Sequence, residues 1–256
     1  GELRTVDELV SELREGRFDL IVFADFVQMN KRDTVLRMLD AAPDLPVVVY
    51  DPWDDGSATQ DSARAYLGGR EIAVYFKREM LACLEYGPNA YPLPFGYPDC
   101  HVPRTLPTQR ATDLFWAGKR LFGTRSLYLD HLNAVLGRTL DQKLTQDEYR
   151  RAISGARVGL SFFGFGFDTV RYWELAAHGC MILAERPLVR IPFNFIEGES
   201  AVFFDDLPEL ERKLAHYLAH NDEAEEIGKA GRAHFLRYHI SSARARQFLG
   251  RIEHVL

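Results

Sequence analysis

The sequence lacks most of the features that assign a protein quickly. Cysteine is scarce: Cys83, Cys100 and Cys180 stand far apart, in no metal-ligand spacing, and three thiols cannot all pair. That pattern argues against a disulfide scaffold or a zinc site and points to a reducing compartment, the cytoplasm. No apolar run approaches the roughly 20 residues of a membrane-spanning helix, and no secretory leader is visible. An excess of positive charge is missing too, since the formal net charge is -6. Nucleic-acid binding needs a basic stripe, so no nucleic-acid partner is expected, although a local basic pocket stays open. No repeat or low-complexity segment interrupts the chain. The GxxxxGK[ST] phosphate loop and the GxSxG nucleophile elbow are absent, and Ser161 has no nucleophile signature around it. GFGFD at 164–168 is no dinucleotide fingerprint, because Thr169 stands where GxGxxG requires its third glycine. Asp99, Cys100 and His101 read as a polar turn. His216, His220, His234 and His239 are too scattered to be ligands, and Asp205–Asp206 fits the approach to a helix, so no metal is expected.

What is present describes a globular α/β protein. Hydrophobic residues make up 46% and charged residues 27% of 256 residues, enough for one large domain or two modest ones. In the first half, helices are expected over 5–14 and 31–40, and buried strands over 20–23, 47–50 and 72–75. The run 86–110 carries Pro88, Pro92, Pro94, Pro98, Pro103 and Pro107, which excludes a regular helix and suggests an ordered crossing between domains. In the second half, strands are expected at TDLFWAG, RVGLSFF, CMILAE and SAVFF. Helices are expected over 126–136, 145–154, 169–178, 207–219, 223–238 and 242–254. Thr5 with Glu8 and Thr145 with Glu148 fit capping boxes. Continuous apolar strands alternating with helices predict parallel sheets covered on both faces.

Ligands in such sheets bind beyond the carboxyl ends of the strands, which places the loops after Gly118 and Phe163 on the binding rim. The segment GFGFDTVRYWELAAHGCMILAE, 164–185, carries the strongest candidates. Gly164 and Gly166 allow a tight turn and close approach of a ligand, and Asp168 or Thr169 caps the following helix. Free amides at that helix start favour an anion such as phosphate. On the helix, Arg171, Glu174 and His178 share one face, and a glutamate one turn in can accept hydrogen bonds from ribose hydroxyls. The competing reading is a surface ion pair between Arg171 and Glu174, worth a few tenths of a kcal/mol. A second cluster, AGKRLFGTR at 117–125, sets Lys119, Arg120 and Arg125 beside Gly118, where their charge suits a diphosphate; solvated lysines and arginines are the plainer alternative. A third is the loop after CMILAE. There Arg186, Pro187, Arg190, Pro192, Phe193, Asn194 and Phe195, with Glu197 and Glu199, either wall a base or sugar pocket or simply pack across the domain. Asp25 and Asp51 follow strands in the first half and are candidate bases.

Several stretches together resemble the family-1-like glycosyltransferases, in the group of the spore maturation protein CgeB. They are ARVGLSFFGFGFDTVRYWELAAHGCMILAE, IPFNFIEGESAVFFDDLPELERKLAHYLAHNDEAEEIGKAGRAHF and RARQFL, preceded by TDLFWAG and LTQDEYRRAISGA. VVVYDPW, AVYFKRE and YPLPFGY resemble the group's first domain. The resemblance implies a GT-B-like α/β fold, two Rossmann-like domains with parallel sheets, the first truncated or reduced. Residues 1–107 would form the acceptor-side domain and 108–241 the nucleotide-sugar-binding domain, with 242–256 a terminal helix crossing back. It implies a glycosyltransferase that moves a sugar from a nucleotide-diphosphate donor to an acceptor hydroxyl on a glycan, protein or small molecule. Glu174 would hold the ribose and Arg171 help set the site, while Lys119 and Arg125 meet the diphosphate; no metal or further cofactor is called for. Many retaining relatives carry a glutamate eight positions before the second one; here that position is Gly166. Stereochemistry and catalytic base therefore stay open, as does a non-catalytic nucleotide-sugar-binding or assembly role. The chain opens on Gly1 without an initiator methionine, so a trimmed chain or a partner chain completing the first domain is expected.

Overall fold

The computed structural model of the protein describes residues 4–24, 31–141 and 143–256. The chain divides into two compact units, Gly1–Pro94 with Gln247–Leu256, and Phe95–Arg246. Each is built on a four-stranded, all-parallel sheet whose strands follow chain order.

In the first unit the strands are β1 (Ile21–Ala24), β2 (Val47–Asp51), β3 (Val74–Lys77) and β4 (Ala90–Pro92). Helices α1 (Val6–Arg14), α2 (Arg32–Ala41) and α3 (Gln60–Tyr66) lie among them in sequence. Alternation along β2 explains the layering. Val47 and Val49 join the core formed with Leu13, Val35 and Leu39 of the helices. Val48 points the other way, into a smaller core with Val74, Phe76 and Ile252. The expected capping box at Thr5 and Glu8 is present. Two elements escape the sequence reading. The helix α3 has few apolar residues, and its box pairs Thr59 with Ser62 rather than with an acidic residue. The strand β4 lies within the proline-rich run, at the sheet edge, where a proline costs no ladder bond to a further strand.

The second unit carries β5 (Thr112–Phe115), β6 (Ala156–Ser161), β7 (Met181–Glu185) and β8 (Val202–Phe204). Its helices are α4 (Arg125–Leu136), α5 (Gln146–Gly155), α6 (Val170–Ala177), α7 (Leu207–Ala219) and α8 (Asn221–Tyr238). A last helix, α9 (Ser241–Val255), spans the boundary between the two units in sequence. One face of this sheet packs Leu114, Val158, Leu160, Met181 and Leu183 against Leu129, Leu132, Leu210 and Leu214. The opposite face packs Phe115, Ala156, Ile182 and Ala184 against Ile153, Trp173, Leu175 and Phe235. Both faces of every central strand are thus dry, which is why these strands read as unbroken apolar runs. The fold class expected from the sequence is the one observed: two parallel sheets flanked by helices.

Candidate functional site

The carboxyl ends of β5 and β6 lead into the two loops singled out by sequence. After β5 the chain buries Trp116 and Ala117 and then turns at Gly118, whose φ of 149° lies in a region that side chains rarely adopt. A Cβ there would also collide with the Arg171 guanidinium, so Gly118 is required twice over. Arg171 lies on α6 and is only 9% exposed. Its Nη2 donates to the Ala117 carbonyl, and its guanidinium lies 5.0 Å from the centre of the Trp116 ring. Nε and Nη1 are buried and have no hydrogen-bond partner. Burial lowers the Arg171 pKa, opposed by the neighbouring Tyr149 and Glu174.

This geometry overturns the reading of a surface ion pair. Arg171 is inside, and Glu174 accepts instead from the Tyr149 phenol, 2.6 Å away on α5. His178, expected on the same face, is the C-cap residue of α6 and is buried, with Nδ1 2.7 Å from Ser154 Oγ. Its pKa is lowered to about 4 by burial, and by the cations Arg232, Arg110 and Arg150.

A second buried guanidinium stands behind the first loop. Arg125 opens α4, is 9% exposed, and donates to the carbonyls of Lys119 (3.0 Å) and Phe162 (3.4 Å), while its Nε has no partner. Burial lowers its pKa, and the Arg171 cation adds to that; Glu185 opposes both. Glu185, at the end of β7, accepts from Thr124 Oγ1 at 2.7 Å and from the Phe163 amide, tying the loop after β5 to the loop after β6. Burial raises the Glu185 pKa. Lys119 is exposed on the rim, whereas Arg120 is taken up by Asp130 and Asp141.

These elements enclose a cleft of about 640 Å³ lined by Gly118, Lys119, Leu121, Lys143, Leu144, Tyr149 and Arg171, among others. Of the predicted residues, Gly118, Lys119 and Arg171 therefore meet at one cavity, and Glu174 is joined to it through Tyr149. Arg125 and Gly164 are in contact one layer back, where a Cβ on Gly164 would come within 2.7 Å of the Arg125 guanidinium. Neither Gly164 nor Gly166 has a positive φ, and the loop turns tightly between them, the Gly164 amide donating to the Gly166 carbonyl at 3.0 Å.

Asp168 and Thr169 lie apart from this cleft, in a narrow recess with Tyr172 and Glu185. Asp168 accepts from Trp173 Nε1 (2.7 Å) and from the Phe95 amide (2.6 Å). Thr169 is the N-cap residue of α6, but its side chain makes no capping bond; its hydroxyl lies 3.1 Å from that of Ser161. The side-chain cap expected at this helix is therefore missing, because both groups turn inward to polar partners.

The remaining candidates resolve differently. The 186–199 loop packs across its own unit: Phe195 is buried, Asn194 accepts from Tyr172, and Glu197 pairs with Lys213. Asp51 is buried, accepting from Lys77 Nζ and the Tyr75 hydroxyl, both at 2.9 Å, and from the Trp53 amide at 3.1 Å, which leaves it no role as a base. Asp25 lies outside the described residues. Asp206 caps α7 through the Glu209 amide, as its position in sequence suggested. Among the described residues, no group of three or more His, Cys, Asp or Glu side chains is arranged to hold a metal ion. Tyr149, Lys143 and Leu144 were missed by sequence reasoning; the signal was the capping box at Thr145, which orients the first turns of α5.

Comparison with known proteins adds a family. The sequence model of the glycosyl transferase-like family matches residues 102–250. No curated protein matches significantly. Among solved structures, Alr3699/HepE of Anabaena in complex with UDP superposes with a TM-score of 0.63 at 12% identity, covering 98% of this chain and 82% of the other. A glycosyltransferase of Rickettsia africae gives 0.62 at 8% identity, with 98% and 80% covered. An alpha-glucosyltransferase in complex with UDP-glucose and DNA gives 0.54 at 13% identity, with 96% and 83% covered.

Proposed function

The chain belongs to the glycosyl transferase-like family, and from that premise we propose that it transfers a sugar from a nucleotide-diphosphate donor to an acceptor hydroxyl, with the donor's nucleotide end in the cleft beside Gly118 and Arg171. One observation carries the reading. Two guanidiniums, Arg171 and Arg125, are buried, the Arg171 cation adds to the lowering of Arg125, and neither has a carboxylate partner among its hydrogen bonds. Three of their N–H-bearing nitrogens are buried and unpaired. A buried cation whose N–H groups lack hydrogen-bonded partners is costly even with carboxylates nearby, and an anion entering the cleft relieves that cost. A diphosphate supplies that anion, and Lys119 on the rim adds a mobile positive charge.

In this scheme the same cations serve catalysis. Bond cleavage between sugar and donor throws negative charge onto the leaving diphosphate, and preorganised N–H groups in a desolvated cleft stabilise it as it develops. The scheme assigns that neutralisation to side chains and calls on no metal. Glu174, joined to the cleft through Tyr149, is assigned to the donor ribose. The similar structures of HepE and of the alpha-glucosyltransferase hold UDP or UDP-glucose, which makes a uridine donor the first to test. The residues that resemble the CgeB group, RYWE at 171–174 above all, support a position for the chain in that group within the family. Three free cysteines, two of them exposed, favour a reducing, cytoplasmic setting.

Calorimetry with nucleoside diphosphates and their sugars tests the donor site. Glu174→Ala is expected to weaken binding at least about tenfold, or 1.4 kcal/mol. An unchanged affinity in a folded variant removes the ribose assignment. Product formation over a panel of donors and acceptors then separates a transferase from a protein that only binds the nucleotide sugar.

A further inference from the structure

Two phenylalanines stand in the open beside the cleft. Phe122, on the loop after β5, is 40% exposed, and Phe165, on the loop after β6, is 74% exposed. Their rings meet edge to face, with 5.9 Å between centres. Scattered exposed apolar side chains are ordinary, but this pair converges from two segments distant in the chain. The backbone beneath it is fixed. A Cβ on Gly123 would come within 2.9 Å of the Phe163 carbonyl oxygen, so the two loops touch. Glu185 binds both of them, through Thr124 Oγ1 and the Phe163 amide. Leu121, 80% exposed, connects the pair to the cleft, since it precedes Phe122 in the chain and lines the cleft together with Lys119. The polar side chains around Leu121 and Phe122 are engaged within the protein. Arg120 pairs with Asp130 and Asp141, Thr124 donates to Glu185, and Ser126 Oγ donates to the Arg120 carbonyl at 3.2 Å. A sugar ring laid on the two phenylalanines would bring hydroxyls that need partners, whereas an apolar group needs none.

We propose that Leu121, Phe122 and Phe165 form an apolar acceptor subsite on the rim of the cleft, which takes the apolar aglycone of an amphiphilic acceptor and holds the acceptor beside the donor. The inference deepens the transfer proposed above and rests on it. Burying the aglycone takes apolar surface of both partners out of water, and the gain grows with the length of its chain. Lys119 and Arg171 line the cleft itself, so a charged donor and an apolar acceptor group find separate surfaces that share Leu121 as their border.

The test uses the whole chain and calorimetry. UDP, GDP and ADP are the first probes, and the best binder is then kept at saturation. Methyl, butyl and octyl β-glucoside follow as acceptor probes, each below the concentration at which it forms micelles. Affinity is expected to rise with chain length, octyl glucoside binding about tenfold or more tighter than methyl glucoside, an advantage that burying about two methylenes supplies. The double variant Phe122→Ser, Phe165→Ser is expected to cut that advantage to about twofold and to keep the affinity for the nucleoside diphosphate. Thermal melting checks its fold, and the two single variants repeat the comparison should the double variant not fold. Absence of octyl glucoside binding, affinity independent of chain length, or a full advantage retained in the folded variant overturns the subsite and leaves the donor site standing. Two further outcomes also overturn it, if the same substitutions abolish them. Flotation with vesicles of phosphatidylcholine and phosphatidylglycerol would make the pair a membrane contact, and dimerisation in the ultracentrifuge would make it a contact with a second copy. Failure of the wild type to bind any of the three diphosphates removes the donor site, and the inference with it.

Discussion

At the scale of single residues, the proposed function turns on the desolvation cost of one arginine. Arg171 is buried, stacked on Trp116, and leaves two of its guanidinium nitrogens without a partner. A folded protein tolerates such a group when function needs it, since an apolar side chain of similar length would fill the space without the desolvation penalty. Arg171→Met is therefore expected to leave the unliganded protein at least as stable in urea as the wild type. The same variant is expected to lose the rise in melting temperature that UDP gives the wild type. A variant that is destabilised and still gains stability from UDP would make Arg171 a purely structural residue. Asp168 shows the opposite economy. Both its oxygens are taken by donors of its own unit, Trp173 Nε1 and the Phe95 amide. Sequence alone puts Asp168 and Arg171 in one list of polar residues near a loop; only burial and partners separate them.

At the scale of elements, the second sheet holds the site by close packing of its helices. Gly228 of α8 lies against the turn before β7. A Cβ there would come within 2.6 Å of the Gly179 carbonyl oxygen and 2.9 Å of the Met181 amide nitrogen. Those neighbours are backbone and cannot rotate away. Gly228→Ala is expected to cost about 1–3 kcal/mol in urea unfolding, despite alanine's better helix propensity. A stabilised variant would show that α8 has room to move. Helix ends and strand cores were legible beforehand, because capping boxes at Thr5 and Thr145 and unbroken apolar strands are local signals. The helix α3 was not, since its register is set by buried Gln60 and Ala63 rather than by an apolar stripe. Tyr149 was hidden for a related reason: the pattern of α5 gives its face, but not that this face meets Glu174 of α6.

At the scale of the whole molecule, two histidines are buried neutral. The pKa of His178 is lowered to about 4 and that of His239 to about 2, in both cases chiefly by burial. In the unfolded chain both titrate near 6.5. Between that value and the lowered ones, the unfolded state binds more protons than the folded state. The stability they confer is therefore complete above about pH 7 and is lost as pH falls toward 4. Each contributes a slope of at most about 1.4 kcal/mol per pH unit. Urea unfolding between pH 7 and 4 is expected to show stability falling, and His178→Asn to show a shallower fall. A flat profile across that range would mean that both rings reach solvent on protonation.

The sequence by itself determined the fold class and most of the element order, and pointed to the loop after β5 that lines the cleft, because those follow from the period of apolar residues, from caps and from prolines. It also singled out Gly118, Lys119, Arg171 and Glu174. Only the tertiary structure decided what each contacts. Packing α6 beside the turn after β5 buried one arginine and left part of its guanidinium unpaired, while Asp168 turned inward and a tyrosine from another helix met Glu174. Burial and partnership are relations between segments distant in the chain, and a local pattern does not contain them.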